Sequence, residues 1–180
     1  MFHRAYLGLG SNLGERAENL RRALTSLHRA GEVKKVSSLY ETEPLGVQNQ
    51  PGFLNAVAQL ETSLDPRALL GELKRIEREL GRSPGGIRWG PRVMDLDILS
   101  FDDQILTEEG LTIPHPAMER RRFVLEPLNE IAPEWVHPVS GKSVEVLLKE
   151  CPVQKCVRLG GLDACSPLPR DRGGHRGGQD

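Results

Sequence analysis

The sequence predicts an α+β fold, an antiparallel sheet packed with helices. Three observations carry that expectation. Strand-like apolar patterns begin near Ala5, Glu32, Phe53 and Val93. Between them lie two stretches with apolar residues at helical spacing. Their order through Phe101 is β-α-β-β-α-β, which favours antiparallel pairing over a doubly wound parallel sheet.

The elements follow in order. AYLGLGS, from Ala5, reads as a short buried strand. In NLGERAENLRRALTSLHRAG, Leu20, Ala23, Leu24 and Leu27 recur at helical spacing, and Gly31 suits a stop. Ser11 or Asn12 caps or leads into that helix. EVKKVSSLYETEP reads as one strand ended by Pro44, and LGVQNQPG as a loop. FLNAVAQLET alternates, with Phe53, Asn55, Val57 and Gln59 on one face and Leu54, Ala56, Ala58 and Leu60 on the other. A second helix has Asp65 as N-cap, Pro66 first, an apolar stripe of Leu69, Leu73, Ile76 and Leu80, and Gly81 as terminator. RSPGGIRWGPR is a loop by composition, and Val93 to Phe101 a buried strand. This is the split βαβ, ferredoxin-like order. Short strands or turns follow in QILTEEGLTIPHP, then a helix over PAMERRRFVLEPLNEIAP and a last one over SVEVLLKE. Residues 1–150 thus form one domain. Residues 151–180, rich in glycine and proline without an apolar period, read as a poorly ordered tail docked near its start.

Composition narrows the function. At 180 residues, 38% apolar and 27% charged, the chain suits one soluble domain with a real core. A net charge of −1 provides no global field for nucleic acid or membrane. No apolar run approaches the ~20 residues of a spanning helix, and MFHRAYLGLGSN lacks a signal-peptide core, so the expected compartment is the cytoplasm. The cysteines, Cys151, Cys156 and Cys165, are odd in number and not spaced CxxC, which favours reduced, incidental thiols over a disulfide framework or zinc site.

The chemistry concentrates in RWGPRVMDLDILSF. On a strand, Asp95 and Asp97 share one face with Cα atoms ~6.6 Å apart. Two buried like charges need cations. One reading is a hard divalent metal such as Mg²⁺; the other is a salt-bridged pair on a solvated face. The flank favours the first: Arg82, Arg88 and Arg92 fall in a stretch without an acid. Arginine forks suit phosphate oxygens, and metal plus arginines without an evident nucleophile is the inventory of phosphoryl transfer. Trp89, inside that loop, fits a core gap, a lid or a base stack equally. No GxxxxGK[ST] is present, so this is not a Walker-type NTPase, and GLGSNLG is better read as a tight strand-to-helix turn than as a dinucleotide loop. His115 lies between Pro114 and Pro116, where the usual role is structural. Of Arg120, Arg121 and Arg122, at most one or two can face a site. Phe123 would ordinarily be core. Glu77, at the edge of the apolar stripe, reads first as a snorkelling surface glutamate and second as a ligand contact.

RWGPRVMDLDILSF resembles the signature of the 6-hydroxymethyl-7,8-dihydropterin pyrophosphokinase family. GLGSNLG, SSLYETEPLG, QPGFLNAVAQLET, RIERELGR, LTIPHPAM and FVLEPLNEIAP resemble the same family in order and spacing, over about residues 4–150. The resemblance implies a three-layer αβα ferredoxin-like sandwich, in agreement with the element order. It also implies transfer of the pyrophosphoryl group of ATP to the pterin hydroxymethyl group, giving AMP and the pterin diphosphate for folate biosynthesis. By motif position, Asp95 and Asp97 would hold two Mg²⁺ ions, with Asp97 also a candidate proton acceptor. Arg82 and Arg92 would stabilise the transferring group. Glu77, Arg88, Trp89, Ile98, His115 and Arg121 would meet ATP. Thr42, Leu45, Asn55, Phe53 and Phe123 would form the pterin pocket, the two phenylalanines sandwiching the ring. The resemblance further suggests a monomer.

Three departures stand out. Phe53 occupies a position where the family often has tyrosine, Ser83 to Ile87 offer no basic residue, and Pro116 stands where an aromatic is more typical. Two other function classes compete. A non-catalytic nucleotide sensor needs the arginines and aspartates but no pterin pocket. An RNA-binding sheet needs exposed aromatics with basic neighbours, where this chain has Asp95 and Asp97.

Overall fold

The computed structural model describes residues 1–43, 49–81 and 91–162. β1 (His3–Ser11) leads into α1 (Arg16–Ser26) and a 3-10 turn over Leu27–Arg29. β2 (Glu32–Val36), β3 (Leu39–Thr42) and β4 (Phe53–Thr62) follow, then α2 (Pro66–Glu79) and β5 (Asp95–Phe101). A hairpin of β6 (Leu106–Glu108) and β7 (Leu111–Ile113) precedes α3 (Arg122–Ile131), α4 (Val144–Glu150) and β8 (Cys156–Gly160).

The main sheet runs β5-β1-β4-β3-β8, with β2 also on β4, and every pairing is antiparallel. The predicted strand EVKKVSSLYETEP is therefore two. They part at Ser37, which pairs with Val57 partly through its side chain: the Val57 N–H donates to Ser37 Oγ at 2.9 Å. Asp65 caps α2 by accepting the Ala68 N–H at 2.8 Å, and Gly81 ends that helix at φ 104°. Such a cap is worth about 1 kcal/mol.

Alternation along the strands produces two cores. Leu7, Leu9, Leu54, Leu60 and Leu96 pack under α1 and α2 against Leu20, Leu27, Leu69, Leu73 and Ile76. On the opposite face Tyr6, Val57 and Leu99 meet Val124, Leu125, Leu128 and Leu147 of α3 and α4. This is the expected αβα sandwich. In β5 the pairing skips from Ser100 to Ile98, leaving Leu99 as a bulge. Leu99 keeps the α3 side that it shares with Asp95 and Asp97, and the bulge lets Phe101 rejoin the α1–α2 core.

Four local expectations change. β5 starts at Asp95 rather than Val93. Neither Ser11 nor Asn12 caps α1, whose N-cap is Glu15 without a side-chain cap. The helix expected over PAMERRRFVLEPLNEIAP is a 3-10 turn and α3, separated at Arg121, which has extended backbone. Finally, the start of the tail, expected only to dock, does so as a strand: β8 pairs with β3 and carries Arg158 to Ser38 Oγ at 3.1 Å, while residues 163–180 lie outside the described residues.

Candidate active site

A cleft of about 530 Å³ opens on the face of the sheet that α3 covers. Its floor is a cross-strand pattern. Gly10 of β1 faces Asn55 of β4 on one side and Asp95 of β5 on the other. Gly8 likewise lies between Val57 and Asp97. The two glycines leave a trough, and the side chains on either bank are two strand spacings apart, roughly 10 Å. A Cβ at Gly10 would sit 2.8 Å from Asn55 Oδ1. GLGSNLG is thus mid-strand floor before it is a turn, a role legible only once the register is known.

On one bank Asn55 donates to Thr42 Oγ1 at 2.7 Å, which fixes both side chains. Phe53 and Phe123 also line the cleft, both half-buried. On the other bank Asp95 and Asp97 project from alternate positions of β5 into the cleft, with Arg92, His115 and Arg121 around them. Burial, then the neighbouring Asp95 charge, raise Asp97 to about 7. Lys74 and Arg121 pull the other way.

The surrounding groups are tightly held. Asn12, 1% exposed, accepts the Arg92 N–H on Oδ1 at 2.7 Å and donates its own N–H to the Arg92 carbonyl at 3.0 Å. The His115 N–H donates to the Leu99 carbonyl at 2.8 Å, anchoring the segment after β7 to β5. His115 Nδ1 accepts from the Ala117 N–H at 3.2 Å, which leaves the proton on Nε2. Burial, then the Arg121 charge, lower His115 to about 4, so it is neutral at pH 7. The Arg121 guanidinium lies 5.7 Å from the centre of the Phe123 ring, a cation–π distance.

The structure therefore brings together Thr42, Phe53, Asn55, Arg92, Asp95, Asp97, His115, Arg121 and Phe123. It does not bring Ile98, whose side chain is 4% exposed in the α1–α2 core. Glu77 is not a surface residue. It is 1% exposed and accepts the Leu96 N–H at 2.8 Å, satisfying the outer edge of β5. Leu45, Arg82, Arg88 and Trp89 lie outside the described residues. Lys74, which the sequence did not single out, reaches the cleft from α2 and pairs with Glu77 at 3.5 Å. A lysine in the middle of α2, between Leu73 and Arg75, gave no local signal.

Among the described residues no three His, Cys, Asp or Glu side chains form a metal-holding group. Two carboxylates remain, a donor set that suits Mg²⁺ when substrate phosphates and water complete the shell.

Residues 6–133 match the model of the 7,8-dihydro-6-hydroxymethylpterin-pyrophosphokinase family. The chain is 50% identical over 129 residues to 2-amino-4-hydroxy-6-hydroxymethyldihydropteridine pyrophosphokinase of Bacillus subtilis, covering 71% of this chain and 77% of that one. It is 45% identical over 163 residues to the Pseudomonas aeruginosa protein of the same name, covering 89% and 99%. A crystal structure of Plasmodium falciparum HPPK-DHPS superposes with a TM-score of 0.68 at 19% identity, covering 83% of this chain. This chain spans 44% of that longer one, and the likeness concerns the fold. With half or more of its length matched at this level, the chain belongs to the 7,8-dihydro-6-hydroxymethylpterin-pyrophosphokinase family.

Proposed function

We propose that this cleft transfers the pyrophosphoryl group of ATP to 6-hydroxymethyl-7,8-dihydropterin, giving AMP and the pterin diphosphate in folate biosynthesis. The observation that carries the reading is the trough itself. An aromatic and amide bank faces a carboxylate and arginine bank across Gly8 and Gly10. One bank suits a flat, hydrogen-bonding ring, the other a metal-bound triphosphate, and the two meet where a hydroxyl would reach phosphorus.

On the pterin side, Phe53 and Phe123 sandwich the ring, and Asn55, oriented by Thr42, reads its polar edge. On the nucleotide side, Asp95 and Asp97 would hold Mg²⁺, two ions in the full reading, which when bound neutralises charge on the triphosphate. Arg92 and Arg121 face the phosphates as they gain charge. His115, neutral and with its proton on Nε2, serves as a donor without adding charge. Ile98, with its side chain committed to the core, is left out of the nucleotide side. Arg82, Arg88 and Trp89 would meet ATP and Leu45 the pterin by the family resemblance alone, since all four lie outside the described residues. Holding both substrates across two strands makes the attack on the β-phosphorus effectively intramolecular.

Asp95→Asn and Asp97→Asn test the assignment. Each should lower kcat by at least about a hundredfold while the protein stays folded. Wild-type rates in either variant would remove its role. Calorimetry separates the enzyme from a nucleotide sensor: pterin affinity should rise when a non-hydrolysable ATP analogue and Mg²⁺ are present. A cytoplasmic monomer is part of the same proposal. No described helix is long and apolar enough to cross a membrane, and light scattering at 20.0 kDa is the expected result.

A further inference from the structure

We propose that Arg16, which does not line the cleft, is a positioning residue that clamps the pterin end of it from the opposite side of the sheet. The inference rests on the pterin reading of that end. Arg16 stands at the first position of α1. Its guanidinium donates to both carboxylate oxygens of Glu41, at 3.0 and 3.3 Å, and to the Gly52 carbonyl at 2.8 Å. Glu41 immediately precedes Thr42, and Gly52 immediately precedes Phe53. Thr42 and Phe53 are themselves partners in the β3–β4 ladder, and they are its last pair. The guanidinium thus ties Glu41, one rung inside the ladder, to Gly52, one residue beyond its last pair.

The pair is half-exposed, with side-chain accessibilities of 28% and 42%. Such pairs add little to global stability. A fork that grips a carboxylate twice and a backbone carbonyl once adds geometry instead. It joins the end of β3 to the start of β4, where two pocket residues must keep fixed positions. Asn12 reinforces the same base, donating to the Pro51 carbonyl at 3.1 Å while holding Arg92. Without Arg16 the pocket is correctly formed for a smaller fraction of the time, and apparent affinity falls by that fraction. The nucleotide bank, built on β5 and the α3 entrance, does not depend on this clamp.

The test is calorimetric titration of 6-hydroxymethylpterin with a non-hydrolysable ATP analogue and Mg²⁺ present. Wild type, Arg16→Met, Arg16→Glu and the reversed pair Arg16→Glu with Glu41→Arg are compared. Arg16→Met should weaken pterin binding about tenfold, as loss of a charged hydrogen bond would, with nucleotide affinity within about twofold. Arg16→Glu should be worse, and the reversed pair should recover most of the loss. Unchanged pterin affinity in Arg16→Met overturns the clamp, as does a reversed pair no better than Arg16→Glu. Equal weakening of pterin and nucleotide also overturns it, because that marks a general loss of structure. Failure of the wild-type protein to bind pterin would instead overturn the reading of the pocket.

Discussion

Replacing Asp97 with asparagine should make the metal-free protein more stable while removing its activity. Burial and the adjacent Asp95 charge raise Asp97 from 3.8 to about 7. Below about pH 4 the carboxyl is protonated in both folded and unfolded chains. As pH rises, the unfolded chain ionises first, while the folded one resists until about 7. The folded state therefore loses stability between these two values and regains none above them. At 1.36 kcal/mol per unit the full loss is about 4 kcal/mol. Asp97 keeps some contact with solvent at the cleft floor. Screening there reduces the expected figure to about 2 kcal/mol. Asparagine is nearly isosteric and never ionises, so it escapes this loss. For a chain of this size, about 2 kcal/mol corresponds to a rise in Tm of roughly 4–8 °C. Thermal melts with chelator at pH 8 should show that rise, and it should shrink to less than half by pH 5. Adding Mg²⁺ and an ATP analogue should reverse the order, because the ion stabilises only the ionised wild-type site. Equal melting at pH 8, or an advantage independent of pH, would refute the reasoning.

Other outcomes follow from single contacts. Gly10→Ala would place a methyl group 2.8 Å from Asn55 Oδ1; pterin affinity should fall about tenfold, with a stability cost of about 1–2 kcal/mol in denaturant melts. Glu77→Leu leaves the Leu96 N–H without its acceptor and should cost about 1–3 kcal/mol, whereas Glu77→Gln keeps an acceptor and should cost less in the same melts. Ending the chain after residue 150 removes β8 and the Arg158 contacts to Ser38 and Glu130; urea unfolding should show a loss of about 2–4 kcal/mol.

The parts of the fold set by local pattern were readable in the sequence. Asp65, Pro66 and Gly81 delimit α2 because capping and helix termination are short-range effects. The alternation in FLNAVAQLET identifies both faces of β4 because strand geometry has period two. What escaped depends on distant partners. β8 is held mainly by backbone pairing with β3, and Val157 and Leu159 are 47% and 42% exposed, so its brief Val-Arg-Leu alternation buries no face and is too short to announce a strand. Glu77 is buried only because the unpaired edge of β5 offers it an N–H. Gly8 and Gly10 become the cleft floor only through the register of β1 with two other strands. Spacing alone left Asp95 and Asp97 between metal ligands and a solvated ion pair. The structure places them in a cleft lined also by Arg92, Arg121, Phe53 and Phe123, with Asn55 across Gly10 from Asp95.

The most direct test of the central claim is to identify the nucleotide product. Purified protein, ATP, Mg²⁺ and 6-hydroxymethyl-7,8-dihydropterin are incubated, and the nucleotides are separated by chromatography. The account predicts AMP in equal amount to pterin diphosphate, and neither product from Asp95→Asn. Formation of ADP with a pterin monophosphate, or ATP left unchanged while pterin is bound, would contradict it.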